Sequence, residues 1–101
     1  MPDSPYFVYR LIPPRPTFGV DMSKGESAIM GRHAAYWQEL TQRGRVLIFG
    51  PVRDGTGAWG LGVFRAVDDA EASELVTGDP AVSTGMATYE VGPMLSAVLP
   101  G

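Results

Sequence analysis

Apolar residues gather in six segments of the chain, and their spacing separates strands from helices. Tyr6-Phe7-Val8-Tyr9-Arg10-Leu11-Ile12 is aromatic and β-branched and predicts a first strand. Pro13, Pro14 and Pro16 end it, because proline cannot donate to a sheet ladder. A loop is expected from there to about Met22. Ser23-Lys24-Gly25-Glu26 has the spacing of a capping box. Ile29, Met30, His33, Trp37 and Leu40 then recur at three- and four-residue steps, one face of a helix that Gly44 stops.

Arg45-Val46-Leu47-Ile48-Phe49 predicts a second strand closed by Gly50-Pro51, and Ala58 to Ala66 a third. Asp54-Gly55-Thr56-Gly57 between them is turn chemistry, so the two strands form a hairpin. Asp68 is the expected N-cap of a second helix, with Glu71 in its first turn and Ala72, Leu75 and Val76 as its apolar stripe. Gly78-Asp79-Pro80 ends that helix. Met86 to Val91 predicts a fourth strand, ended by Gly92-Pro93, and the last eight residues read as a weakly specified tail.

The resulting order is β-α-β-β-α-β, an α+β chain of ferredoxin-like topology. Right-handed crossovers put both helices on one face of a four-stranded antiparallel sheet. The whole chain, 1–101, is expected to be one domain with its core over about 6–94. A sheet with water on one face should alternate apolar and polar residues. These strands do not: Tyr6, Val8 and Ile12 oppose Phe7, Tyr9 and Leu11, and Val46 and Ile48 oppose Leu47 and Phe49. Trp59, Leu61 and Val63 oppose Phe64 and two glycines. Two helices cover one face, so the other predicts a homodimer. The alternative is that the tail and the Pro-rich loop cover it.

Composition narrows the partners. Of the 101 residues 45% are hydrophobic and 19% charged, the balance of an ordinary globule, and the net charge of −3 disfavours a nucleic-acid partner. The absence of cysteine removes thiol nucleophiles, thiolate metal sites and disulfides. No apolar run approaches the ~20 residues that span a bilayer. The N-terminus lacks a basic n-region and a secretory h-region, so a cytoplasmic location and no membrane partner are expected.

His33 is the one histidine, and histidine alone titrates near neutrality without perturbation. Topology draws the first helix, the hairpin loop with Asp54 and the Gly78-Asp79-Pro80 junction to one end of the sheet. His33 as base with Asp54 as its orienting carboxylate is the expected catalytic pair. The pairing has a geometric difficulty: at 1.5 Å rise per residue His33 lies roughly 10–14 Å below the helix start. Tyr36, Trp37, Gly50, Pro51 and Asp79 are the candidate substrate-binding residues. The competing reading makes His33 a satisfied core residue, Asp54-Gly55 a plain turn, Asp79-Pro80 a helix terminator, and Arg32 and Arg53 solvated. One histidine with scattered carboxylates lacks zinc-ligand spacing, no Gly-rich phosphate cradle follows a strand, and no G-x-S-x-G elbow occurs. No metal or nucleotide is expected.

Several segments together resemble the YCII-related (YciI-like) family. They are His33-Ala34-Ala35-Tyr36-Trp37, Gly44 to Val52 with Asp54 after it, Trp59-Gly60-Leu61, Ala70-Glu71-Ala72, Gly78-Asp79-Pro80-Ala81-Val82, and Tyr89-Glu90-Val91-Gly92-Pro93. The resemblance implies a dimeric α/β barrel whose pocket holds a catalytic histidine and aspartate, carried over to His33 and Asp54, with Asp79-Pro80 matching the family's Asp-Pro segment. It also implies lyase-type elimination on a small, halogenated, phenolic or cyclic substrate, without a cofactor. The alternatives are a non-catalytic ligand-binding or accessory domain and, third, a cofactor-free oxygenase.

Overall fold

A computed structural model describes residues 5–101. Its elements are β1 (Tyr6–Ile12), α1 (Phe18–Asp21), α2 (Lys24–Gln42), β2 (Val46–Asp54), β3 (Gly57–Arg65), α3 (Asp69–Thr77), α4 (Pro80–Ser83) and β4 (Thr88–Pro93). The strands form one antiparallel sheet in the order β2-β3-β1-β4, the ferredoxin-like arrangement, with the helices on one side. No helix among the described residues is long and apolar enough to cross a membrane.

The long helix starts where the sequence places it. The Ser23 side chain accepts from the Glu26 N–H at 3.1 Å, and the Glu26 carboxylate accepts from the Ser23 N–H at 2.9 Å. Its end is set by Gly44, whose φ of 78° is the left-handed conformation that stops a helix at little cost to glycine. Asp68 caps α3 by accepting from the Glu71 N–H at 2.8 Å.

Register divides the sheet into two faces. Phe7, Tyr9 and Leu11 lie opposite Phe64, Gly62 and Gly60 on the helix side, where they pack against Trp37, Leu40, Ala72 and Val76. The two glycines make room for these side chains. A Cβ on Gly60 would stand 3.1 Å from Leu11 Cβ, and one on Gly62 would stand 3.2 Å from Tyr9 Cδ2. Tyr6, Val8 and Arg10, opposite Arg65, Val63 and Leu61, belong to the open face.

Four local expectations are corrected. The second strand does not close at Gly50-Pro51 but runs on to Asp54. It is an edge strand, where the missing proline N–H breaks no interior ladder. An irregularity between Val46 and Ile48 leaves Leu47 outside the pairing, so Val46 and Phe49 share the helix side while Ile48 joins the open face. The Pro-rich segment contains the short helix α1 instead of being loop throughout, and α4 follows α3 directly. The fourth strand is displaced to Thr88–Pro93 and includes Gly92 and Pro93, again at a sheet edge.

Candidate active site

Three donors converge on one carboxylate oxygen. Asp79 Oδ2 accepts from the Tyr9 hydroxyl at 2.8 Å and from Trp37 Nε1–H at 2.8 Å, and it lies 2.7 Å from His33 Nδ1. Its other oxygen accepts the Ala81 N–H at 2.8 Å. Each partner arrives from a different element: Tyr9 from β1, His33 and Trp37 one helical turn apart on α2, and Ala81 from α4. Asp79 therefore caps α4 with one oxygen and ties helix to sheet with the other. Its exposure is 0%, whereas the His33 side chain retains 13%.

A buried acid survives ionised only when hydrogen bonds and charge replace water. Burial pushes the Asp79 carboxyl upward, but the donated bonds from His33 and Trp37, the imidazole charge and the Ala81 N–H outweigh it, and the net shift is down. Tyr9 moves the other way. Burial, the Asp79 charge and the bond to Asp79 hold its hydroxyl protonated far above the usual tyrosine range. A carboxylate can only accept, so Nδ1 of His33 carries the proton in the pair. In the neutral ring Nε2 is then the lone-pair nitrogen.

His33 forms part of the wall of a cavity of about 340 Å³ between α2 and the helix side of the sheet. Tyr9, Trp37 and Phe49 supply aromatic surface, and Gly50 and Pro51 line the β2 side. Phe18, 5% exposed, and Met22 bring α1 and its flank over the cavity. Arg15 pins this strap. Its guanidinium reaches both Glu26 oxygens at 2.7 and 2.8 Å and Asp21 Oδ1 at 2.8 Å. The Arg15 bonds, together with the Ser23 backbone bond, hold Glu26 down to about 2.

The expected site is thus reassembled. The His33–Asp54 pair is not formed; the acid at His33 is Asp79. Strand parity explains this. Asp54 shares its face of β2 with Ile48 and Val52, opposite Val63 and Trp59, which is the open face, while His33 sits on the helix side. Asp54 accepts from the Thr56 hydroxyl and N–H at 2.6 and 2.8 Å and from Trp59 Nε1–H at 2.9 Å, all within its own hairpin. Those bonds hold its carboxyl below the usual range.

Asp79, expected against substrate, lies behind His33 and is not part of the cavity wall. Tyr36 is not part of it either. Its hydroxyl donates to the Leu75 carbonyl and its ring meets Trp37 edge-on at 5.6 Å. Trp37, Gly50 and Pro51 do line the cavity. Sequence reasoning missed Tyr9, Phe18, Met22 and Arg15. The available signal for Tyr9 was its inward strand position, since a buried tyrosine hydroxyl requires a partner.

Residues 7–95 match the family model described as YCII-related domain. No curated protein matches the chain. Among solved structures, the chain is similar to 5-chloro-2-hydroxyhydroquinone dehydrochlorinase from Burkholderia phenoliruptrix AC1100, in complex with 2,5-dihydroxybenzoquinone. The TM-score is 0.63 at 21% identity, covering 88% of this chain and 91% of that one.

Proposed function

Because this chain belongs to the YCII-related domain family, we propose that it is a cofactor-independent acid–base enzyme carrying out lyase-type elimination on a small organic molecule. His33 Nε2 accepts a proton from substrate. The electron pair released by that O–H or C–H bond forms a new π bond, and the leaving group departs with the pair of its own broken bond. The imidazolium then returns its proton to solvent or to the departed anion. Asp79 is a positioning residue: it fixes the tautomer through Nδ1 and stabilises the cation that forms.

The observation that carries this reading is the 2.7 Å His33–Asp79 contact at a cavity wall. The similar dehydrochlorinase supports elimination as the reaction type. Asp54 is assigned to the hairpin and not to the chemistry, because its partners are Thr56 and Trp59.

Halide release from a panel of halomethylphenols and chlorinated hydroquinones, in which the leaving group can sit on an sp3 carbon conjugated to the hydroxyl, tests the proposal. Wild type should turn over at least one, and His33→Ala should lose on the order of 10²–10⁴ in rate while keeping its circular dichroism spectrum. Undiminished turnover by His33→Ala overturns it. One observation favours a second reading, a binding module: the cavity wall offers one uncommitted proton-transfer side chain and no second. That reading gains if wild type binds phenols saturably and turns none over.

We also propose that two copies pair through their open sheet faces. Val8, Ile12, Val63 and Ile48 make that face apolar, with Ile48 56% exposed. The two segments of the chain that were candidates to cover it do not bury their large apolar side chains against it. Phe18 of the Pro-rich segment is buried at the helix-side cavity, and Leu95 and Val98 of the tail are 82% and 99% exposed.

A further inference from the structure

The cavity wall is almost entirely carbon, and its few polar side-chain atoms are nearly all spoken for. The Tyr9 hydroxyl and Trp37 Nε1 are bound to Asp79, and Trp59, an open-face residue of β3 that borders the cavity near the hairpin, has its Nε1 bound to Asp54. No lysine, arginine, aspartate or glutamate lines it. His33 Nε2 is the one side-chain polar atom of the wall left without a partner among the described residues. A carboxylate or phosphate entering this space would shed water and meet no cation, and a ring with several hydroxyls would leave most of them unpaired.

Two further observations fit an aromatic ligand. Met22, Met30 and Met86, three of the chain's five methionines, face the same space from three different segments. Thioethers adapt their shape and make favourable contacts at ring edges. The volume of about 340 Å³ is roughly twice that of an engineered 150 Å³ cavity that holds benzene. One ring with a short side chain, or two fused rings, fills it.

We propose that the cavity takes an uncharged aromatic molecule of about two-ring size with a single acidic hydroxyl, which meets His33 Nε2, and that it discriminates against carboxylates and polyhydroxylated rings. The inference rests on the reading above only in taking this cavity as the ligand site. It specifies substrate polarity and size, which the proposed reaction leaves open.

The test is equilibrium binding by isothermal titration calorimetry at pH 8 with 2-naphthol, 2-naphthoate, naphthalene and 1,2,4-trihydroxybenzene. 2-Naphthol should bind most tightly, on the order of 100-fold better than 2-naphthoate and roughly 5–10-fold better than naphthalene. In His33→Ala the gap between 2-naphthol and naphthalene should close while naphthalene binding persists. Ala34→Phe, which adds a ring to the cavity wall from an unburied position on α2, should weaken all of them, and the sole histidine's ring signals should shift on titration of wild type. Tighter binding of 2-naphthoate or trihydroxybenzene than of 2-naphthol, or no binding of 2-naphthol, overturns the inference. The readout needs no turnover. Selective binding by a protein that eliminates nothing sinks the proposed reaction and leaves this inference standing. Histidine-dependent elimination with a preference for anions does the reverse.

Discussion

Asp79 stands directly behind His33, its Oδ2 2.7 Å from Nδ1 and 46 positions away in sequence. The acid has no exposed surface and the base has a little, so the pair is oriented, with the carboxylate inward and the imidazole toward the cavity. Asp79→Asn replaces one acceptor oxygen or the other by an NH₂ group. The Trp37 and Tyr9 donors keep the amide oxygen toward Nδ1, so the tautomer is retained but the negative charge that stabilises the imidazolium is lost. Turnover should fall on the order of 10²–10⁴, and nitrogen NMR of the sole histidine should still report the proton on Nδ1. Asp54→Asn should stay within a few-fold of wild type. If Asp54→Asn is the dead variant and Asp79→Asn the active one, the site is centred on the wrong acid.

The same carboxylate makes stability depend on pH. Its folded-state pKa is depressed from 3.8 because the bonds and charge of its partners outweigh the burial that works against ionisation. A depressed pKa means the folded state binds the proton less readily than the unfolded one. The stabilisation is therefore fully present above the unfolded value and is lost as pH falls through the folded value. Urea midpoints should hold from neutrality down to about pH 4–5 and then decline. Asp79→Asn, itself less stable at neutral pH, should show a shallower acid decline; an identical slope would remove Asp79 from the linkage.

Much of this fold can be read from local chemistry. The Ser23/Glu26 capping box, the Gly44 stop and the Asp68 cap are local signals, and each sits where its spacing puts it. The two faces of β1 follow from period-two alternation. What the sequence hides is non-local. The edge position of β2 lets Pro51 stay within a strand, and only once β2 reaches Asp54 does parity assign that residue to the open face. Topology brings both Asp54 and Asp79 to the end of the sheet near His33, but it cannot say which of them bonds. That choice is made by α4, whose N-cap turns Asp79 inward beneath Tyr9 and Trp37. The strap was opaque for a related reason: Arg15 reads as a surface cation until Asp21 and Glu26 are seen to converge on it.

Arg15 is the latch of that strap. Besides its bonds to Asp21 and Glu26, its guanidinium lies 5.5 Å from the Phe18 ring, and Phe18 and Met22 stand over the cavity. Arg15→Ala removes the link between the strap and the first turn of α2 while leaving the His33–Asp79 pair untouched. Hydrogen exchange over residues 17–22 should quicken by ~10-fold, with the rest of α2 unchanged. Ligand association and dissociation should both accelerate, changing Kd less than either rate. Unchanged exchange in the variant would show that packing of Phe18 alone holds the strap.

The open face of the sheet leads to the last prediction. Its apolar residues include Val8, Ile12, Ile48 and Val63, and Arg10, between Val8 and Ile12 on β1, lies 4.5 Å from the Trp59 ring. Arg10 Nε is buried yet has no hydrogen-bond partner among the described residues. A buried donor without an acceptor costs about 1–3 kcal/mol, and a facing molecule that brings both apolar surface and an acceptor removes that cost. A second copy across a two-fold axis presents the same face to itself, and this face carries the matching elements: apolar β-branched residues, and Glu90 directly across from Arg10 on β4. Light scattering after size exclusion at micromolar concentration should give twice the chain mass of 10.8 kDa. Val63→Lys, which sets a charge in the middle of the face, should return the monomer mass with circular dichroism and 2-naphthol binding preserved, because Val63 is not part of the cavity wall. A wild-type monomer, or a Val63→Lys dimer, places the contact elsewhere.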